Sequence, residues 1–224
     1  MVLALLRRVN YRLSRRGIHL RRIANISIVR TLLACLKYRQ GLRILVFGQT
    51  KISGKGRIEV ATNSLFAVNE PWFFAHAEPG SLIVLRGATL RVSGGEFAIK
   101  SAAFVEVKDG ALLELQGGNG YASRDLQIEC RERITIGPGA AIGPGVMIRD
   151  NDGHPLTTEG HQSTLPVTIG RRVWIGAKAI ILKGVTIGEG SIVAAGSIVT
   201  HDIPAHCLAA GVPAKVVREG VSWT

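Results

Sequence analysis

The stretch Arg149-Asp-Asn-Asp-Gly-His-Pro gathers groups that could move a proton. His154 carries an imidazole whose unperturbed pKa, about 6.5, suits it to take a proton from an attacking alcohol near neutral pH. Asp150 and Asp152 lie close before it, near enough in sequence to orient the ring or to meet a substrate hydroxyl. A carboxylate beside an imidazole would raise its pKa. Aspartates in a D-x-D-G string also form turns, and a loop histidine can simply be solvated, so both kinds of residue keep a structural alternative. His161 is a second imidazole in the same stretch, read as a loop residue or as a contact to the acceptor. Two histidines do not make a metal centre of the carbonic-anhydrase kind, which needs three converging ligands. No metal is expected.

These residues sit in the one interruption of a regular pattern. From Val167 onward Ile169, Ile175, Ile181, Ile187, Val193 and Val199 recur every six residues, and Ile136, Ile142 and Ile148 occupy the same frame upstream. Small residues such as Ala179, Ser191 and Ser197 follow four positions later, and glycines such as Gly137, Gly143, Gly170, Gly176 and Gly188 follow immediately. A period of six fits neither a helix nor a long strand, so it reads as a solenoid of flat strands and corners with the aliphatic residue inside. Three hexads would close one triangular coil, and coils would stack at roughly 4.8 Å. The run Gly137 to Gly143 looks like a dinucleotide fingerprint, but it contains Pro138 and lies within this register, so its glycines are corners.

Between Ile148 and Ile169 the frame takes 21 residues where it needs 6. The excess must leave the solenoid wall as a loop, Arg149 to Pro166, and loops on rigid scaffolds are where chemistry is commonly placed. Upstream, Val46, Ile52 and Ile58 keep the spacing, the register fails around residues 63–79, and alternating segments follow from Leu82 to Val92 and from Val105 to Leu115. These are expected to be wider coils of the same solenoid; a separate β sandwich is the alternative.

The chain has 224 residues and a formal charge of +12, which suggests nucleic acid until the charge is located. Residues 1–43 hold 11 of the 28 Lys and Arg and no acid, since the first carboxylate is Glu59; residues 44–224 carry 17 bases against 16 acids, or +1. The body is therefore nearly neutral and no nucleic-acid partner is expected. Within the basic segment Val2, Leu5, Leu6, Val9, Leu13 and Leu20 fall on one side of a helical wheel, with Arg7, Arg8, Arg15, Arg21 and Arg22 largely opposite. Such a helix can lie on an anionic membrane through residues 1–22, or dock on its own assembly; an arginine-rich, acid-free start also suits a transit peptide. Cys35, Cys130 and Cys207 are odd in number and widely spaced, which indicates no disulfide framework and a reducing compartment. No uncharged run reaches the ~18 apolar residues of a membrane-spanning helix.

The string from His154-Pro155 through PVTIGRRVWIGAKAIILKGVTIGEGSIVAAGSIVTHDIPAHCLAAGVPAKVVR, ending at Arg218, resembles the hexapeptide-repeat acyltransferases. The match is to the branch of maltose, galactoside, capsule, colanic-acid and O-antigen O-acetyltransferases, over about 70 residues. The resemblance implies an all-β, left-handed parallel β-helix, acetyl-CoA as donor and a homotrimer with sites between subunits. It implies His154 as general base and Trp174 as a wall of the site near the acceptor. It also implies Gly176, Ala177, Ala195 and Gly196 along the pantetheine arm, Thr200 near the adenine, and Lys215 and Arg218 on the nucleotide phosphates, where charge-assisted bonds are needed. His201 stands where the family often has lysine, which puts one cationic contact in doubt. No cysteine lies near the loop, so direct transfer is expected, with a backbone N–H after Trp174 stabilising the oxyanion.

The expected organisation is a basic amphipathic helical segment (1–43), irregular coils (44–130), a regular β-helix (131–204) with its loop at 149–166, and a CoA-contacting end (205–224). The expected activity is acetyl transfer to a hydroxyl of a bacterial surface glycan or its lipid-linked precursor. It would take place in the cytoplasm or at the inner face of the cell membrane. Alternatives are a soluble sugar or nucleotide-sugar acceptor and a non-catalytic membrane-associated scaffold.

Overall fold

A computed structural model describes residues 26–71, 78–154 and 156–224. The expected amphipathic helix over residues 2–22 and the Pro155 neighbour of His154 lie outside the described residues.

The strands form three sheets that the chain visits in rotation. Face one holds Ile44–Val46, Leu65–Glu70, Glu96–Lys100, Gly120–Ala122, Ala141–Ile142, Trp174–Ile175, Ile192–Val193 and Leu208–Gly211. Face two runs from Thr50–Ser53 through Gly80–Val84, Phe104–Val107, Gln127–Cys130, Met147–Arg149 and Ile180–Ile181 to Ile198–Val199. Face three stacks Arg57–Val60, Thr89–Ser93, Leu112–Gln116, Arg133–Ile136, Val167–Ile169 and Thr186–Ile187. Successive coils pair in parallel throughout, as in Ala141↔Trp174↔Ile192. Among the described strands only Ala214–Arg218, the last, folds back antiparallel, onto Leu208–Gly211. The architecture is a left-handed parallel β-helix of triangular section.

The hexad frame gives this shape because each aliphatic residue fills the prism. All nine in-register positions, from Ile136 to Val199, are at most 1% exposed. Ser191 and Ser197 occupy small positions inside and still find partners: Ser191 Oγ donates to the Pro204 carbonyl, and the Gly211 N–H donates to Ser197 Oγ. The irregular upstream segments belong to the same solenoid and not to a sandwich. Gly80–Val84 and Thr89–Ser93 lie on different faces, each pairing with the coils before and after it. Their alternating pattern is that of strands with one side in the prism and one in water.

The glycines after the aliphatic positions answer to coil spacing. A Cβ on Gly143 would stand 2.7 Å from the Ala177 nitrogen, and one on Gly176 would stand 2.5 Å from the Ala195 nitrogen.

The prism's first coil would expose its interior at the open end. Helix α1 (Ile28–Lys37) closes it, seating Thr31, Ala34 and Cys35 on the core. The Val46 N–H donates to Thr31 Oγ1 at 3.0 Å, and the Cys35 thiol faces the Ile44 carbonyl at 3.4 Å. The opposite side of α1 leaves Ile28, Val29, Leu33 and Leu36 exposed at 46–67%.

Gly176→Ala is expected to lower stability by about 1–3 kcal/mol, because the added methyl meets backbone and no flexible side chain can yield. Thermal unfolding of the variant checks this; an unchanged midpoint would show that the coils separate freely.

Candidate active site

The excursion Arg149 to Pro166 leaves at the end of face two and returns at the start of face three, so it stands on the edge between them. Asp150 sets its base. This aspartate is fully buried, and its carboxylate accepts from the backbone N–H groups of Arg131, Glu132 and Arg133 at 2.8–2.9 Å and from the Asn151 side chain at 3.1 Å. A buried carboxylate with four donors is satisfied and anchored. The expectation that Asp150 orients His154 or meets the acceptor is therefore corrected: its charge is spent on the turn of the preceding coil, whose N–H groups have no strand partner there. Asn151 continues the anchorage through the Glu129 carbonyl and receives the Gly153 N–H, and Leu165 N–H closes the far side of the loop onto the Asp150 carbonyl.

Beyond this base the loop is pinned to the next coil. Lys183 Nζ donates to Asp152 Oδ2 and to the Gln162 carbonyl, and His161 Nε2 lies 2.7 Å from the same Asp152 oxygen. Asp152 thus pairs with His161 and Lys183, and not with His154 as the sequence suggested. The Lys183 hydrogen bond first and the His161 hydrogen bond second hold the Asp152 carboxyl below the usual carboxylate range. Lys183 was missed from sequence. It sits at a solenoid corner, where a lone lysine reads as a solvated charge, and its partners lie 21 and 31 residues away.

His154 is exposed at the outer part of the loop, and no hydrogen bond among the described residues holds its ring. Thr200 lies on the same prism edge, two coils on, with its hydroxyl 2.8 Å from His201 Nδ1.

The remaining candidates lie elsewhere. Gly176 and Ala177 form a corner between faces one and two, and Ala195 and Gly196 stack above them, with the Gly196 N–H donating to the Ala177 carbonyl at 2.8 Å. Ala195 and Gly196 are exposed, and the space over Gly196 is open within 4 Å of a built Cβ. Gly176 is buried between coils, and its N–H is committed to the Val193 carbonyl at 2.8 Å. Its small size is required by stacking as well as by the expected close approach of a ligand to the Gly176-Ala177 backbone. Lys215 and Arg218 are exposed on the final antiparallel strand. Trp174 projects from face one, 45% exposed. Face one is opposite the edge that carries the loop, so a single chain does not bring Trp174 and His154 together.

The three cysteines are buried. Burial, first, and the nearby Asp150 charge push the Cys130 thiol well above its ordinary range, and burial does the same for Cys35. Neither supplies a thiolate near neutral pH.

The described residues thus form a triangular β-helix of hexads, with an anchored histidine loop on one edge and open small-residue corners on another. Residues 166–201 match the family described as "Hexapeptide repeat of succinyl-transferase". The chain is 46% identical over 107 residues to Galactoside O-acetyltransferase of Escherichia coli (strain K12), covering 46% of this chain and 52% of that protein. It spans about half the length of the curated relatives it matches. Among solved structures, the polySia specific acetyltransferase NeuO superposes with a TM-score of 0.52 at 23% identity, over 81% of this chain and 89% of that one. The polysialic acid O-acetyltransferase OatWY does so at 0.50 and 21%, over 79% and 92%. These two likenesses concern the fold. Over residues 166–201 the chain is similar to the hexapeptide-repeat family, and over 107 residues to a galactoside O-acetyltransferase.

Because the folded Asp152 pKa is depressed, the stabilisation that this ion pair lends the loop is complete above the ordinary value of 3.8 and is lost as pH falls through the lowered one. Nitrogen-15 relaxation over residues 156–166 should report an ordered loop near pH 6 that becomes mobile only as the pH is taken below the ordinary carboxylate value. In Lys183→Met the loop should be loosened already near pH 6; equal order in both proteins would refute the pinning role.

Proposed function

We propose that this protein is an acetyl-CoA-dependent O-acetyltransferase acting on a hydroxyl of a bacterial surface glycan, or of its lipid-linked precursor, with His154 as general base. The observation that carries this reading is an exposed imidazole on a loop immobilised at its base by Asp150 and at its flank by Lys183. An imidazole carried on an anchored loop and free of partners can face an incoming alcohol, and binding of the acceptor would complete its positioning. His154 takes the hydroxyl proton as the oxygen attacks the thioester carbonyl, and returns it to the departing thiolate as the C–S bond breaks; no covalent enzyme intermediate and no metal are needed. The open corner at Ala195 and Gly196 admits an extended pantetheine chain beside Ala177, and exposed Lys215 and Arg218 offer charge to the phosphates. The reading gives the adenine contact to Thr200, at the far end of the strand that follows Gly196. The opposed placement of Trp174 and His154 supports a homotrimer in which one subunit's loop meets its neighbour's face one.

The identity to a galactoside O-acetyltransferase favours a second acceptor class, a soluble sugar. The Asp152–His161 pair favours a second base, since a carboxylate 2.7 Å from an imidazole is an orienting contact that His154 lacks here. His154→Ala is expected to reduce acetyl-CoA-dependent product formation by about 10²–10⁴-fold, and His161→Ala by less than about tenfold. Mass spectrometry of products from a panel of glycans and free sugars gives both the rates and the acceptor. The reverse ranking of the two variants would transfer the base to His161, and equal activity of wild type and both variants would remove the catalytic reading.

The reading extends to peripheral attachment at the inner face of the cell membrane through residues 1–22. No helix among the described residues is long and apolar enough to cross a membrane. The acid-free charge of residues 1–43 and the exposed Ile28, Val29, Leu33 and Leu36 of α1 support contact with an anionic surface. Co-sedimentation with phosphatidylserine vesicles should fall severalfold on deleting residues 1–22 and should weaken with salt; binding equal to the full chain would exclude that segment as the anchor.

A further inference from the structure

After its last strand the chain turns back along the edge between faces three and one. The Val221 N–H donates to the His206 carbonyl at 2.8 Å. Two residues on, Trp223 is fixed at both ends by one residue of an earlier coil: its indole N–H donates to the Arg172 carbonyl at 2.7 Å, and its own carbonyl accepts from the Arg172 guanidinium at 2.7 Å. The guanidinium carbon also stands 5.9 Å from the centre of the Trp223 ring. This places Trp223 beside Trp174, with ring centroids 6.1 Å apart and the planes tilted by 52°. Trp174 remains 45% exposed and Trp223 is partly exposed. Arg171 and Glu189 extend into solvent on the same edge and face each other at 3.6 Å.

We propose that Trp174 and Trp223 together form a platform that receives the apolar face of a pyranose ring, so that residues 219–224 help determine which acceptor is taken. Two indoles inclined to one another make a shallow cleft with an electron-rich face on each wall, and the C–H groups on one face of a pyranose present the complementary partial charge. The sugar's hydroxyl rim is left to groups with charge and hydrogen-bonding capacity, and Arg171 and Glu189 stand beside the cleft for that purpose. The indole N–H of Trp223 is already satisfied by protein, so the ring offers surface and not a further hydrogen bond. Packing alone does not account for the arrangement: both residues keep part of their surface in water, and the double tie to Arg172 fixes a partly exposed indole in one orientation at the cost of ordering it. The inference rests on the reading of Trp174 as the acceptor-side wall of a glycan O-acetyltransferase.

The test separates the platform from the chemistry. Saturation-transfer difference NMR is recorded on the full chain with methyl pyranosides of galactose, glucose, mannose and N-acetylglucosamine. At least one should show transfer to its ring C–H protons. That transfer should fall about tenfold in Trp223→Ala, an aromatic anchor removed from a binding surface, and persist in Trp223→Phe. Circular dichroism and thermal unfolding establish that each variant keeps the solenoid. No transfer to any of the four sugars by the wild-type chain, or equal transfer by wild type and Trp223→Ala, would overturn the proposal. Transfer that depends on Trp223 in a protein whose wild type and His154→Ala forms are equally inactive would leave the platform standing and remove the transferase reading alone.

Discussion

The close parallel stacking of coils is the constraint from which the rest of this structure follows. Strand backbones in neighbouring coils are held at roughly 4.8 Å by their hydrogen bonds, and that distance leaves no space for side chains between the corners. Gly143 and Gly176 are glycine because a Cβ there would meet the next coil's backbone. Interior volume is set by the same geometry, so one aliphatic and one small residue per hexad suffice to fill it. The regularity of the outcome is visible in the nine in-register residues, each almost wholly excluded from water. Such a stack has two open ends, and α1 closes the first by spending Thr31, Ala34 and Cys35 on it. The same helix turns large aliphatic groups outward, so its two sides perform different tasks.

A scaffold this regular concentrates irregular chemistry where the register breaks. The loop at Arg149 to Pro166 adds polar backbone outside the ladder, and its groups must find partners locally. Asp150 resolves this by accepting from three consecutive backbone N–H groups in the preceding coil. Burying a carboxylate is costly unless it is fully bonded, and here the bonds hold the loop in register. Lys183 adds a second attachment through Asp152 and the Gln162 carbonyl, from the coil on the other side. The loop is thereby clasped from both neighbours while His154 stays open. The loop is therefore rigid where it leaves the prism, while the His154 side chain is exposed to water.

The triangular section also decides what one chain can assemble. Loop, Lys183 and Thr200 share one edge; Ala177, Ala195 and Gly196 share another; Trp174 belongs to the face opposite the first. A flat-walled prism cannot fold these onto a single spot, so the separation is a property of the fold and not of a misplaced residue. The tail bearing Trp223 adds to the Trp174 side only, which divides the molecule into a loop side and an aromatic side.

By itself the sequence determined the solenoid, its core and the location of the loop, because a six-residue period is a local, one-dimensional signal and an insertion in it is countable. That His154 stands on this loop was legible for the same reason, since it lies within the insertion. The coils before residue 120 were legible only in outline, since their longer strands lose the hexad register. Their membership in one stack, and not in a separate sandwich, was settled by pairing between coils. Tertiary structure alone decided the direction of Asp150, the grip of Lys183 on Asp152 and the meeting of Trp223 with Trp174. The partners in these contacts are 17 to 49 residues apart, and the contacts depend on which edge of the prism each corner occupies. Residue type records that a side chain can accept, donate or stack; only the turning of the chain through three faces determines what stands opposite it.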